Sequence, residues 1–430
     1  MSCGWPKETP LKDRETKRRF WRISAAGIFF QGGAAAVDSS TIIAALVHGL
    51  TGSAFAVGAA SAILRFGWLS PQLFVAYFAQ RSTRRLPYYM VGAFGRATCL
   101  AALAGVLASA EGLANGVVIG LFFGLCVTYS FVSGVVAVPY NDIVGRSIPS
   151  TKRSRLLAVR FFGGGLLALG VAAVAHRLLS DMPFPSGYGA IVFLGAVLLY
   201  VSSFSFVSSG EPIVPVPTNE SSGFVAFMRE GVQVFRVDHH FRLFVYSQWL
   251  GGAVMMALPF YILQAIAFRA TSADVAFLLG AQTAGALLSN ALWGWWGDHH
   301  GKRSLLEGVA VLRTVPPLLA LVWSWVAVTW AVPTLAGFAV IFLVLGALGN
   351  GITIAMLGYL MEISPDDRRP AYSGYFNALV APAALLPVAG AAIVEATSLS
   401  GVFAVSLGAA LLQYLTVRRL RSLSAARAET

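Results

Sequence analysis

The sequence predicts an all-α membrane protein with twelve transmembrane helices in two pseudo-symmetric six-helix halves. Three observations carry that reading. First, the 430 residues are 57% hydrophobic and 12% charged, with a mean hydropathy of +0.71, whereas a soluble domain carries about 25% charged residues. Second, the Lys and Arg residues gather in one set of loops. Third, three features recur at a spacing close to half the chain. Arg84-Arg85 returns as Lys302-Arg303 after 218 residues, Pro149 as Pro365 after 216 and Arg96 as Arg313 after 217.

Crossing the hydrocarbon takes about 20 apolar residues, and lipid offers no partner to an open backbone, so each span is expected to be helical. After a charged tail at 1–20, the first half (21–208) divides into apolar runs at 21–48, 53–79, 87–109, 114–140, 156–178 and 187–208. A polar linker at 209–240 carries Pro212, Pro215 and Pro217. Its second part, Phe224 to Phe235, repeats apolar residues at helical spacing, which predicts a short interfacial helix. The second half (241–417) divides at 241–267, 273–296, 304–325, 333–361, 371–394 and 398–417, ahead of a tail at 418–430. Thr271 and Asp274 form a capping-box pattern before the eighth span. Pro139, Pro259, Pro316, Pro317, Pro382 and Pro387 fall within or at the ends of spans, where neighbouring helices satisfy the carbonyls they free. Gly32-Gly33 and Gly163-Gly164-Gly165 permit close helix approach.

The net charge of +12 reports topology rather than a polyanionic partner. All but six of the 31 Lys and Arg residues lie in the tails, the linker and alternate loops; the six are Arg65, Arg96, Arg160, Arg177, Arg269 and Arg313. With twelve spans these segments share one side, and the positive-inside bias makes both termini cytoplasmic in a cell inner membrane. The basic start imitates a secretory signal, but the apolar stretch from Ile23 to Leu46 is too long for one. Cys3, Cys99 and Cys126 are odd in number and show no disulfide or metal spacing. His239-His240 and His299-His300 lack spaced partners, so no metal or other cofactor is expected. The chain has no Gly-x-x-x-x-Gly-Lys-Ser/Thr phosphate loop and no nucleophile–base constellation. Both an ATP-driven pump and an enzyme are therefore unexpected.

At Gly294, Asp298, Gly301, Lys302 and Arg303 the chain resembles the major facilitator superfamily. That family's loop motif reads Gly-x-x-x-Asp-x-x-Gly-Arg/Lys-Arg/Lys and joins the second to the third helix and the eighth to the ninth. The spans, the linker and the Pro149–Arg153 and Pro365–Arg369 loops extend the resemblance over the whole chain. It implies two halves that rock around a central site. It also implies that Asp298 docks on the N-terminus of the eleventh helix near Pro370-Ala371 in one orientation, as a conformational latch; the alternative is a plain basic turn. The first copy departs from the motif, with Gln80 in place of the acid and Thr83 in place of the glycine. The fifth helix lacks the Gly-Pro motif of many drug–proton antiporters in the family.

Two charges fall deep in the predicted bilayer, Asp38 on the first span and Arg65 on the second. Counting about 1.5 Å per residue, both sit near mid-membrane. A lone charge there costs roughly 2.5–3.5 kcal/mol on insertion scales, so the two are expected to pair. The pair is either structural, or Asp38 exchanges a proton while Arg65 tunes it or binds an anionic substrate. The resemblance favours the second reading, since family members often place a coupling acid on the first helix. The amides Gln31, Gln248, Gln264, Gln282, Asn290, Asn350 and Asn377 are candidates to line a polar central cavity. Trp68, Trp249, Trp293, Trp295 and Trp296 would supply aromatic walls or an interfacial belt. Arg96, Arg160 and Arg313 are expected to snorkel toward the cytoplasmic surface. The expectation is a monomeric, proton-coupled secondary transporter whose partners are a small solute, protons and the lipid bilayer, with no nucleic acid. A transport-inactive relative serving as an assembly factor or receptor for a membrane complex is the alternative.

Overall fold

The computed structural model describes residues 10–80, 82–212, 224–329, 334–364 and 369–428. The proline-rich part of the linker and the Pro365–Arg368 stretch of the repeated loop lie outside these residues. The described chain is helical almost throughout. The first half contains α1 (Pro10–Ala36), α2 (Ile42–Thr51), α3 (Ala54–Gln80), α4 (Leu86–Ala108), α5 (Asn115–Ser147), α6 (Ser150–Asp181) and α7 (Ser186–Val207). The linker contributes α8 (Phe224–Val237), the expected short amphipathic helix. The second half contains α9 (His239–Met255), α10 (Phe260–Ala267), α11 (Ser272–His299), α12 (Gly301–Leu312), α13 (Val315–Thr329), α14 (Thr334–Ile363), α15 (Arg369–Val380), α16 (Leu386–Ala396) and α17 (Leu399–Ala428). Among the described residues, ten helical stretches are long and apolar enough to cross a membrane. Large apolar side chains such as Phe74, Phe162, Phe204, Leu288 and Trp325 stand exposed around the perimeter, where a soluble protein would bury them.

Four apolar runs that read as single spans are each broken into two helices, and each break has a local cause. The first is interrupted at 37–41, where Asp38 Oδ1 accepts hydrogen bonds from the freed N–H groups of Ser40 and Thr41, both at 3.0 Å. The run at 241–267 breaks between Met255 and Phe260, just before which Pro259 has no N–H to continue the ladder. Asp38 and Met256 are 218 residues apart, so the two breaks occupy corresponding positions of the repeat. The run at 304–325 parts at Arg313-Thr314, before Pro316-Pro317. The run at 371–394 parts at a short 3-10 turn, Ala381–Leu385, around Pro382. The Thr271–Asp274 capping box forms as expected.

Helices α1 and α3–α7 pack chiefly on one another, as do α9, α11–α15 and α17, whereas α16 packs chiefly on α3. The two sets meet along α6 against α11 and along α3 against α15 and α16. At the end of the bundle away from the linker, α2 also touches α10 and α11. Within the second set α11 and α14 cross backbone to backbone. A Cβ on Gly285 would overlap the Leu343 carbonyl, and one on Gly346 would overlap that of Gln282.

The cores are arranged asymmetrically. At the far end, one apolar core contains residues of both sets, among them Ile42–Val47, Leu103, Ile191, Ala257–Leu263, Leu278 and Phe342. At the linker end there are two separate cores. One is built on Phe20, Tyr89, Ile143 and Phe206, and the other on Phe244, Leu305, Tyr359 and Phe376. The halves are therefore sealed together at one end and apart at the other.

Candidate functional site

A cavity of about 300 Å³ lies between the two helix sets at the middle of the bundle. Its walls come from α1, α6, α11 and α14, and its polar groups are Gln31, Asp38, Gln282, Thr283, Asn290 and Asn350. Four of the amides named from the sequence thus converge on one space together with the half-buried Asp38. Asn350 is oriented by donating from Nδ2 to the Ala286 carbonyl at 3.2 Å. Two other amides lie elsewhere. Gln248 is buried in α9, where its Nε2 donates to Ser247 Oγ at 3.1 Å, and Asn377 is exposed on α15. Gln264 is bound within the sealed end, donating to the Ala320 carbonyl at 3.0 Å.

Asp38 sits at the break between α1 and α2, and all of its hydrogen bonds fall on Oδ1. Besides the two backbone donors, the hydroxyls of Ser40 and Thr41 donate to it at 2.6 and 2.9 Å. The expected Asp38–Arg65 pair does not form among the described residues. The broken backbone supplies Asp38 with four donors of its own. Arg65 is exposed on α3 and faces the gap between the helix sets, within Coulombic reach of Arg313. Ser40 also connects Asp38 to the second half, because its Oγ lies 3.2 Å from Gln282 Oε1.

A second cavity, of about 180 Å³, lies inside the first helix set. Arg96 and Arg160 line it with Phe30, Trp68, Tyr89, Tyr140 and Asn141. The snorkelling expectation fails for Arg96, which is 5% exposed, and for Arg313, which is 4% exposed. Arg96 lies ten residues beyond the start of α4 and Arg160 ten beyond the start of α6. At about 1.5 Å per residue Arg96 is some 15 Å from the helix end, whereas the half-buried Arg160 lies five residues into the apolar stretch that begins at Arg155. Arg160 reaches inward across α1 because Gly27 leaves room; a Cβ there would overlap the Arg160 side chain.

The Gly294–Arg303 loop turns tightly at Gly301, whose φ of +81° suits glycine. Gly294 lies within α11 with open space around it. Asp298 is 75% exposed and bonds Lys302 Nζ at 3.2 Å, while Arg303 lies 3.8 Å from Glu362 at the end of α14. Among the described residues, Lys302 is the ion-pair partner of Asp298 in this conformation. The Pro365–Arg368 segment just before α15 lies outside the described residues.

The family model described as Major Facilitator Superfamily matches residues 243–428. The whole chain superposes on solved transporters at TM-scores well above what shared helix content alone produces. A point variant of the nucleoside transporter NupG matches at a TM-score of 0.73 and 11% identity, over 94% of this chain and 99% of that one. The family match is confined to the second half of the chain, and nearly the whole chain shares the fold of such transporters. An auto-inhibited peptide transporter of the POT family matches this chain at a TM-score of 0.69 and 12% identity, covering 96% and 97% of the two chains. A bacterial homologue of the iron transporter ferroportin in its outward-facing state matches at 0.62 and 16%, covering 94% and 99%. At such identities the likeness concerns fold alone. Uncharacterised proteins of Mycobacterium tuberculosis and Mycobacterium bovis are 24% identical over 244 residues, 55% of this chain. The chain spans about half the length of these curated relatives, 46%.

Proposed function

We propose that this membrane transporter is a proton-coupled secondary transporter that moves a small solute by alternating access. One observation carries the reading: a polar cavity lies between the halves, under a core that both halves share at one end and that is split in two at the other. Rocking the halves about this cavity would seal the split end and part the shared one. The span count of twelve takes α1 and α3, of 27 residues each, together with the ten apolar stretches. The halves are then 21–208 and 241–417. The basic residues at the linker end support a reading with that end and both termini in the cytoplasm of an inner-membrane protein, in which this conformation is open inward. A transport-inactive assembly factor has no use for a cavity gated in this way.

Asp38 is the coupling group in this reading. The Ser40 hydroxyl carries one proton and faces two acceptors, Asp38 Oδ1 at 2.6 Å and Gln282 Oε1 at 3.2 Å. An ionised Asp38 is the nearer and stronger acceptor and holds that proton. Once Asp38 is protonated, the hydroxyl is released to Gln282 and ties the two halves at the sealed end. Proton occupancy then biases one orientation of the halves over the other. Arg65, facing the same gap, adds positive potential to the solute path.

The test is solute flux into liposomes driven by a pH gradient, using a solute found by thermal stabilisation of the purified protein. Asp38→Asn keeps the size of the side chain and its acceptor oxygen but cannot exchange a proton. It is expected to retain counterflow and to lose uphill, pH-driven accumulation. Unchanged accumulation would remove Asp38 from the coupling path. The Gly294–Arg303 loop is proposed to latch the opposite orientation through Asp298. Asp298→Asn should then slow flux several-fold at unchanged solute affinity, and an unchanged rate leaves the loop a plain turn.

A further inference from the structure

The cavity inside the first helix set carries a charge imbalance that a transporter fold does not by itself require. Two guanidinium groups, Arg96 and Arg160, line it, and no carboxylate does. Arg96 is 5% exposed, its Nε is buried without a hydrogen-bond partner, and it forms no ion pair among the described residues. Its neighbour is the face of Phe30, with the guanidinium carbon 4.7 Å from the ring centroid. Arg160 donates from Nη1 to the Tyr140 hydroxyl at 3.1 Å and lies 5.2 Å from the centre of the same ring, while its Nε is also buried and unpartnered. The acid on the adjoining turn, Asp142, is already engaged by Arg85 at 3.2 Å and Arg146 at 2.9 Å.

A cation at this depth is costly unless a counter-charge reaches it, and intramembrane charges ordinarily pair. Phe30 and Tyr140 offset part of that cost through their π faces, but the buried Nε–H of each guanidinium group is left without an acceptor. Such donors match the two oxygens of a carboxylate. The rest of the cavity is aromatic, with Trp68 and Tyr89 completing the wall. Its volume of about 180 Å³ suits a small molecule of one ring.

We infer that this cavity binds a small organic carboxylate, its oxygens between Arg96 and Arg160 and its aromatic or short apolar body against Phe30, Trp68 and Tyr140. The inference goes beyond the transporter reading: this site lies inside the first half, apart from the cavity between the halves, and does not depend on that reading.

The experiment titrates the purified full chain with benzoate, with benzamide and with inorganic phosphate, following thermal stability and tryptophan fluorescence. Benzoate is expected to raise the unfolding midpoint and to bind at least ten-fold more tightly than benzamide or phosphate. R96Q and R160Q should each weaken benzoate binding ten-fold or more, whereas R177Q, at a residue whose side chain is 82% exposed, should not. Without ligand, R96Q should melt at or above the parent temperature, because it removes an uncompensated buried cation. A purely structural arginine would give a lower midpoint. The assignment is overturned if benzoate produces no shift, if benzamide or phosphate binds as well as benzoate, or if R96Q without ligand melts well below the parent. Flux is read separately. Carboxylate binding without carboxylate flux in liposomes leaves this site standing and shows that the bound anion is not the solute moved. Flux of a neutral solute with no carboxylate binding sinks this site and leaves the transporter standing.

Discussion

Arg313 shows how a single buried charge is handled in this bundle. Its Nη1 donates to Gln413 Oε1 at 2.8 Å, and Gln413 Nε2 donates onward to the Ser247 carbonyl at 2.9 Å. The amide thus bridges α12, α17 and α9 with both of its ends in use. Gln413→Leu strands a buried cation and a buried carbonyl together, and is expected to cost about 1.5–3 kcal/mol. Gln413→Glu gives the guanidinium a counter-charge but sets an acceptor against the Ser247 carbonyl, so it should lower the unfolding midpoint less than Gln413→Leu. Thermal unfolding of both variants checks the order; a drop of equal size in both would show that the counter-charge at this position does not matter. The same scale exposes where residue-by-residue reading succeeded. Gln31, Asp38, Gln282, Asn290 and Asn350 were named as polar exceptions in apolar runs, and they line one cavity. Gln248 and Asn377 were named on the same grounds and lie elsewhere. A polar residue in a span reveals its depth, but in a helix that is apolar all round nothing marks the direction it faces.

Among the elements, the broken spans matter most. Asp38 and Pro259 interrupt corresponding runs of the two halves, and interrupted segments at matching positions are where transporter folds place their sites. Proline signalled the second break in the sequence. The first has no proline and depends on a side chain supplying acceptors to a freed turn. The crossing of α11 and α14 is a second element-level device. Gly285 and Gly346 let the two backbones touch, which brings Gln282 and Asn350 to facing walls of one cavity. Gly346→Val would drive a side chain into the Gln282 carbonyl and separate the helices, at a cost of about 3 kcal/mol or more. Gly408→Val, on an exposed face with nothing near it, is the matched control. Size-exclusion profiles and unfolding midpoints should separate the two variants, and equal behaviour would show that the crossing does not need a bare backbone.

For the whole molecule, the decisive feature is the contrast between one shared core and two separate ones. A transporter must break the shared core to open the far end, so a covalent tie there should stop flux. Ser40 and Gln282 approach to 3.2 Å across the two helix sets and offer the position. With Cys3, Cys99 and Cys126 replaced by serine, a Ser40→Cys/Gln282→Cys pair is expected to oxidise readily. Flux in liposomes should fall to background and return on reduction. Full flux in the oxidised protein would show that the halves do not part at this end.

The sequence by itself determined the material and the plan: apolar runs of bilayer length, basic loops on one side, and a repeat of about 217 residues that announces two related halves. These are properties of residues taken along the chain, and hydrophobic length, charge and periodicity can be read in one dimension. Only the tertiary structure decided which polar groups meet. It turned Asp38 toward its own broken backbone instead of Arg65, carried Arg160 across Gly27 into the first-half cavity, and buried Arg96 beyond reach of the surface. It also decided which end of the bundle is sealed. The physical reason is that lipid and protein interior are equally apolar, so the rotation of each helix and the tilt of each half follow from packing and hydrogen bonding between distant residues, which hydropathy along the chain does not encode.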